Sequence, residues 1–465
     1  MKSWPTTRDA MEWKPHPYQE RAVKIMIQQS AAGLLLDPGL GKTSCTLAAF
    51  KILRDMGYVK RMLVIAPLRP MYSVWPAETE KWNNFQELNC SILHGSDKDW
   101  QAANPDGVDI FLINPEGLGW LLNSPKRLKK LGVDMLVVDE STKFKHPNTA
   151  RFKLLRKFLP KFARRYILTG TISPNGLMDL FGQIYILDGG HALGSYITHF
   201  RTMYFSQPNP QYEPYLWAAN KDAVDRIAKK LSPLCLQLNA EDYLEMPDLQ
   251  YIDIEVELPS DARDRYTDVE ADFITQVGED FVVAENAAVA GTKCRQIANG
   301  AVYTGKDEYA VVHAAKLDAL EELVEELSGA PLLVLYEYRH DLERIQTRFK
   351  TASVLGSGVS QRKAHESILR FNAGDIPILL GHPASMGHGL NLQGACHHVC
   401  WFGITWNFEY YDQTIARVYR QGQESEVVFV YHLVAKGTLD EKVLRVLDDK
   451  ERTQQTLMDA LVAPL

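Results

Sequence analysis

Short apolar runs recur along the first 190 residues, separated by longer stretches of helical patterning. They are "GLLLD" (33–37), "MLVIAP" (62–67), "IFLIN" (110–114), "MLVVDE" (135–140) and "YILTG" (166–170). Each is rich in Leu, Ile and Val and does not alternate with polar residues. Successive strand side chains point to opposite faces, so such runs predict strands of a parallel sheet covered on both sides. The segment after Lys42 is predicted helical, ending near Gly57. Strand, loop, helix, strand makes βαβ units. The texture returns in "LLVLY" (332–336), "PILLG" (377–381), "HVCWF" (398–402) and "VVFVYHL" (427–433). Ahead of these, "AAKLDALEELVEEL" (314–327) puts Leu317, Leu320, Leu323, Val324 and Leu327 on one helical face.

The predicted fold class is therefore α/β, with two parallel-sheet lobes and a mostly helical insertion between them. The expected boundaries are a first lobe at 1–190, the insertion at 191–250, an interlobe connection at 251–290 and a second lobe at 291–465. A chain of 465 residues is too long for one core, which agrees. Composition adds that the chain is an ordinary soluble one, 46% hydrophobic and 23% charged. No apolar run approaches a membrane span, and the N-terminus lacks the apolar core of a signal peptide. Six scattered cysteines form no framework, so a reducing, cytoplasmic location is expected.

The net charge of −7 does not advertise a nucleic-acid partner, but its distribution is uneven. Ser141 to Tyr166 holds nine Lys/Arg and no acid, and Glu241 to Glu285 holds fifteen acids against Arg263 and Arg265. The basic block reads as a solvated helix face or as a phosphate-contacting surface. The acidic block reads as a soluble face of the connection.

Four local patterns carry chemistry. In "LLLDPGLGKTSCT" (34–46), Gly39 and Gly41 permit a tight path that aims backbone N–H groups at phosphate oxygens. Lys42 would meet the β- and γ-phosphates, and Thr43 would ligate Mg²⁺. The generic pattern has a glycine at position 36; Leu36 reads instead as the end of the buried strand. Asp139 and Glu140 close an apolar strand, where one carboxylate can hold Mg²⁺ and its neighbour can take a proton from water. Gln19 could pair with N6 and N7 of adenine. In "DQTIARVYRQGQ" (412–423), Gln413, Arg417 and Arg420 fall on one face of a helix and suit phosphate oxygens. "CHHVC" (396–400) is not a metal site, because neighbours on a strand alternate faces.

Taken in order, these patterns resemble a superfamily-2 helicase-type ATPase of the Swi/Snf-related branch. The resemblance adds "PYQ" (17–19), "LVIAPLRPMYSVWPAETEKW" (63–82), "LHGS" (93–96), "DEST" (139–142) and "LTGTISPNGLMDLFGQ" (168–183). In the second half it adds "CRQIANGAVY" (294–303), "ASMGHGLNLQGA" (384–395), "WNFEYYDQTIARVYRQGQ" (406–423) and "VVFVYHLVAKGTLDEKVL" (427–444). It covers nearly the whole chain, and its compact form is similar to bacteriophage and prophage members. Ile172 stands where the family usually has proline after Gly170-Thr171.

The resemblance implies two RecA-like lobes with ATP and Mg²⁺ in the cleft between them. It assigns catalysis to Lys42, Asp139, Glu140, Arg417 and Arg420, the two arginines being fingers. It assigns nucleotide contacts to Gln19, Asp37, Pro38, Gly39, Leu40, Gly41, Lys42, Thr43, Ser44, Gly389 and Gln413, and the metal to Thr43 and Asp139. Nucleic-acid contacts fall on Pro67, Arg69, Asn114, Lys143, Lys145, Thr169, Thr171, Ser385, Asn391 and Trp406. The expected activity is ATP-driven translocation on double-stranded DNA, independent of sequence, by a monomer in a bacterial or phage-infected cell. A strand-separating DNA or RNA helicase shares every ATPase residue, and a scaffold with a vestigial ATPase is a third reading.

Overall fold

The computed structural model describes residues 11–208, 217–277, 283–306, 308–356, 358–386 and 390–461. These form two compact units. One runs to Leu244 and takes in the segment from Arg452; the other is Glu245–Glu451.

The first unit is built on seven strands: β1 (Ala31–Leu36), β2 (Met62–Ile65), β3 (Cys90–Ile92), β4 (Ile110–Ile113), β5 (Met135–Asp139), β6 (Arg164–Thr169) and β7 (Cys235–Leu238). Their order is β3-β4-β2-β5-β6-β1-β7, and every pair is parallel. Alternate residues feed two separate cores. Leu35, Leu63, Ile65, Phe111 and Val138 lie in one, and Leu34, Leu36, Val64, Leu112 and Val137 in the other. That explains the unbroken apolar runs: neither face is left for polar side chains. Each such residue contributes about 1.5–3 kcal/mol by burial.

The second unit repeats the plan with β8 (Asp248–Val256), β9 (Leu332–Leu335), β10 (Ser353–Leu355), β11 (Ile378–Gly381), β12 (His398–Trp401) and β13 (Val427–Ala435). Their order is β8-β13-β12-β9-β11-β10, again all parallel. The amphipathic helix Ala315–Glu326 buries Leu317, Leu320 and Leu323. The stretch read as insertion and connection holds helices, among them Ile197–Tyr204 and Ala223–Leu231, but it also supplies a strand to each sheet. β7 seals β1, and β8 forms an outer edge on which Asp248, Asp253 and Glu255 are exposed. Charges on a free edge oppose pairing with another chain. Among the described residues, no helix is long and apolar enough to cross a membrane.

A lysine–carboxylate pair lies in the interior of the second unit. Lys316 Nζ lies 2.7 Å from Asp440 Oδ2 and also donates to Asn299 Oδ1 (2.9 Å) and the Phe402 carbonyl (3.1 Å). All three ammonium protons are thus used. Removing one partner strands the other charge, at a cost of about 3–5 kcal/mol. Lys316→Met should therefore lower the denaturation midpoint sharply, and adding Asp440→Leu should recover much of the loss. Equal stability of wild type and single variant in urea would contradict this.

Candidate active site

Because β1, β6 and β5 are adjacent and parallel, the loops that follow them leave one edge of the sheet. Leu35 pairs with Thr169, and Asp139 with Leu168. Residues 37–42, 139–141 and 169–171 are brought together there. This is where open α/β sheets take ligands.

The loop after β1 turns on Gly39 (φ 95°) and Gly41 (φ 81°), a left-handed backbone that only glycine adopts freely. Leu36 is the fully buried last residue of β1, as the pattern implied. Gly41 is the N-cap of the helix Lys42–Asp55 and brings no side-chain cap to it. A Cβ at Gly41 would sit 2.5 Å from Gln19 Nε2 and 3.0 Å from Ser44 Oγ. Lys42 Nζ donates to the carbonyls of Leu36 (2.6 Å) and Asp37 (3.3 Å). Leu40 is buried in the core, while Thr43 stays partly exposed in the first helical turn. Asp37 Oδ2 accepts from the Ala240 amide at 2.9 Å, and burial pushes the Asp37 pKa up. Pro38 packs close to Gly170 of the neighbouring loop. Gln19 is nearly buried: Oε1 accepts from His16 N (3.0 Å) and Nε2 donates to Leu40 O (3.2 Å). One N–H and one lone pair of that amide remain beyond these bonds, enough for a base edge.

At the end of β5, Asp139 Oδ2 accepts from the indole N–H of Trp75 at 3.0 Å. Burial, and then the adjacent Glu140 charge, push the Asp139 pKa up; Trp75 and Lys42 oppose the rise. Glu140 is held at φ 53°, ψ 61°. Left-handed backbone costs a side-chain-bearing residue about 1–2 kcal/mol. Only Ser328 shares that sign of φ among the other described non-glycine residues. Strain of this kind gathers at functional sites. Behind it, Ser141 Oγ donates to Gln183 Oε1 (2.6 Å) and Gln183 Nε2 donates to the Ile172 carbonyl (2.6 Å). Thr169 Oγ1 donates to the Thr171 carbonyl (2.7 Å), and both threonines are buried. The acidic turn and the "GTIS" loop are thereby one hydrogen-bonded piece.

Pro67 enters the helix Leu68–Ser73, which carries Arg69 in its first turn. Asn114 is buried: Nδ2 donates to Glu116, and Oδ1 has no partner among the described residues. Lys143 follows the acidic turn, and Lys145 is largely buried against Asp179 at 3.4 Å. The basic block does not form one surface. Lys143 and Lys145 follow the C-terminal end of β5, whereas Arg164 opens β6 at the opposite edge. There Arg164 Nη1 is taken up by the carbonyls of Met26, Ile27 and Gln29. Lys153, Lys157 and Lys161 are exposed.

In the second unit, the expected single helix face of Gln413, Arg417 and Arg420 is not observed. The helix is Phe408–Ile415, and only Gln413 lies on it. The chain tightens because Arg417 N bonds back to Thr414 O, and the Arg417 carbonyl accepts from Leu392 N. Arg417 still reaches Gln413, through Nε to its carbonyl at 3.0 Å. Burial pulls the Arg420 pKa down. Ser385 lies on the short helix Pro383–Met386. Asn391 is exposed, and its carbonyl accepts from Asn372. Trp406 is half-buried beneath Arg295, 5.9 Å from its ring, and its carbonyl accepts from Lys450. Gly389 lies outside the described residues.

No trio of His, Cys, Asp or Glu converges on a metal among the described residues. Cys396 and Cys400 are buried thiols pushed up to about 12, which suits packing rather than ligation. The donor set at the first sheet's edge fits a different ligand. Glycine turns, an uncapped helix N-terminus and Lys42 suit a triphosphate, and the Thr43 hydroxyl with the Asp139 carboxylate supplies the oxygen donors a hard divalent cation takes.

Parallel sheet, glycine loop and strand-end acids define a P-loop ATPase. Residues 18–302 match the SNF2-related domain, and 315–422 match the helicase conserved C-terminal domain. Protein p41 of Acyrthosiphon pisum secondary endosymbiont phage 1 is 35% identical over 465 residues, covering 96% of this chain and 98% of that one. The ISWI chromatin-remodeling complex ATPase ISW2 of Saccharomyces cerevisiae is 24% identical over 96% of this chain, which spans only 41% of the yeast protein. A solved structure, the Sulfolobus solfataricus SWI2/SNF2 ATPase core in complex with dsDNA, aligns at 23% identity with a TM-score of 0.45, covering 98% of this chain and 96% of that one. The chain belongs to the SNF2-related family of helicase-type ATPases and is an ATP hydrolase.

The raised Asp139 pKa has a signed consequence. A carboxyl that holds its proton more tightly when folded favours the fold at low pH; that contribution is lost as pH rises through the raised value. Metal-free Asp139→Asn should therefore melt at or above the wild-type temperature at pH 7.5 while hydrolysis collapses. A clear drop in its melting temperature would show that the carboxylate is structural instead.

Proposed function

We propose that this chain is a DNA-stimulated ATPase that moves along double-stranded DNA. The observation that carries the reading is the meeting of three loops at one sheet edge, in a chain with a second parallel-sheet unit and an SNF2-related sequence. Gly39 to Ser44 and Lys42 receive the phosphates, with Asp37, Pro38 and Leu40 shaping the loop and Gln19 reading adenine. Thr43 and Asp139 hold Mg²⁺, which when bound neutralises charge on the β- and γ-phosphates. Glu140 takes the proton of the attacking water. Arg417 and Arg420 stabilise charge in the transition state, and Gln413 and Gly389 are further nucleotide contacts. A finger of this kind is worth about 10³–10⁵ in rate. Pro67, Arg69, Asn114, Lys143, Ser385, Asn391 and Trp406 meet the DNA backbone. Thr169 and Thr171, and Lys145 through Asp179, act one layer behind.

The reading is supported by the Ser141–Gln183–Ile172 bonds, which tie the acidic turn to the loop that the family resemblance links to nucleic acid. Contacts to phosphates give affinity that is independent of sequence and falls steeply with salt.

The test is the ATPase rate with no nucleic acid, single-stranded DNA, duplex DNA and RNA in parallel, beside triplex-disruption and strand-displacement assays. Duplex should stimulate most, a triplex strand should be removed, and a forked duplex should stay paired. Lys42→Ala and Glu140→Gln should each lower turnover at least 100-fold, about the scale of one lost catalytic group. Stimulation by single strands with unwinding of the fork would favour a strand-separating helicase, and equal negligible turnover of all three proteins a scaffold.

A further inference from the structure

Trp75 is fully buried, and its indole N–H meets Asp139 Oδ2 at 3.0 Å. The other fully buried tryptophan, Trp401, has no partner for its indole nitrogen among the described residues. Burial alone therefore does not place such a donor on an acceptor in this protein. A hydrogen bond to a carboxylate is among the stronger kinds, and holding one oxygen fixes the direction of the other.

Trp75 also sits at a junction. It opens the helix Trp75–Lys81, separated from Leu68–Ser73 by Val74 alone. Val74 N bonds to Pro70 O and Glu78 N to Val74 O, so hydrogen bonding runs through the joint. The earlier helix is entered by Pro67 and carries Arg69; the later one packs on the helix Lys42–Asp55. The indole shares a core with Leu40, Cys45 and Met71. One packed piece thus touches the phosphate-loop helix, the strand-end carboxylate and the segment with two candidate DNA contacts. Coupling between sites needs a physical connection of this sort.

We propose that Trp75 is a positioning residue: its indole N–H orients Asp139 toward the divalent cation and passes movement of the Pro67–Ser73 segment to that carboxylate. The first half stands on the site geometry. The second rests on the reading that duplex DNA is the partner.

Trp75→Phe keeps an aromatic ring and removes the donor. Binding of a fluorescent non-hydrolysable ATP analogue in EDTA should match wild type within about twofold. The gain in affinity on adding Mg²⁺ should shrink about tenfold, the scale of one charge-assisted hydrogen bond. Duplex affinity without nucleotide should be unchanged, while the fold-stimulation of ATPase by duplex should fall. A wild-type Mg²⁺ gain in the variant overturns the positioning role. A reduced Mg²⁺ gain with wild-type stimulation overturns the transmission. If duplex does not stimulate the wild type at all, the function proposed above fails and the transmission with it, but the Mg²⁺ measurement still decides the positioning. Should Trp75→Phe not fold, the indole ¹⁵N–¹H resonance of wild-type Trp75, identified as the one displaced in Asp139→Asn, serves instead. It should shift on adding Mg²⁺ with the analogue, and separately on adding duplex; a resonance unmoved by either overturns the proposal.

Discussion

The first sheet is covered on both faces, and that constraint shapes everything built on it. Its central strands β1, β2, β4 and β5 are buried on both sides along nearly their whole length, so polar chemistry leaves them at their ends. Because all run the same way, one end of every strand faces one edge. The order β5-β6-β1 then brings the loop that suits phosphates beside the acids that suit a metal, with the "GTIS" loop between them. Burial of Leu36 at the end of β1 and of Leu40 within the loop gives the glycines a rigid base. Within the loop, the bonds from Lys42 Nζ to the Leu36 and Asp37 carbonyls add to that base.

The same edge concentrates unfavourable features. Glu140 is held in a left-handed conformation, Asp139 takes up protons more readily than an ordinary carboxyl, and Asn114 buries an oxygen without a partner among the described residues. The surrounding cores offset these local costs. A sheet optimised only for stability would have none of them. Such features next to a glycine loop mark where the protein is shaped for something other than folding.

Much of this was legible in the chain. Each of the nine apolar runs coincides with a strand, because a buried parallel strand has a simple signature. Four strands carry no such run. β3 and β10 are three residues long and incompletely buried, β8 lies exposed with acids along it, and β7, though buried, has Gln237 breaking its apolar run. The site divides in the same way. Residues adjacent in sequence, Gly39 to Thr43 or Asp139 with Glu140, could be read as units. Partners separated in sequence could not: Trp75 bonds to a carboxylate 64 residues away, Ser141 to an amide 42 away, and Asp37 to a backbone group 203 away. The arginine segment departs from its helical pattern for a related reason. Periodicity continues past Ile415, but the bond from Leu392 to the Arg417 carbonyl, distant in sequence, closes the helix early.

The outer strand of the second sheet bears on how the protein behaves in a tube. β8 is nine residues long, an unusual length for an uncovered edge, and its exposed carboxylates are what make it self-repelling. That repulsion is conditional on charge. Asp253 keeps its charge to lower pH than an ordinary aspartate, because its hydrogen bond with His432 holds its pKa down. Glu255 is paired instead with Lys436 at 3.4 Å. An edge stripped of those carboxylates would be a template for stacking copies of itself. Resistance to self-association thus rests in part on a strand remote in sequence from the phosphate loop.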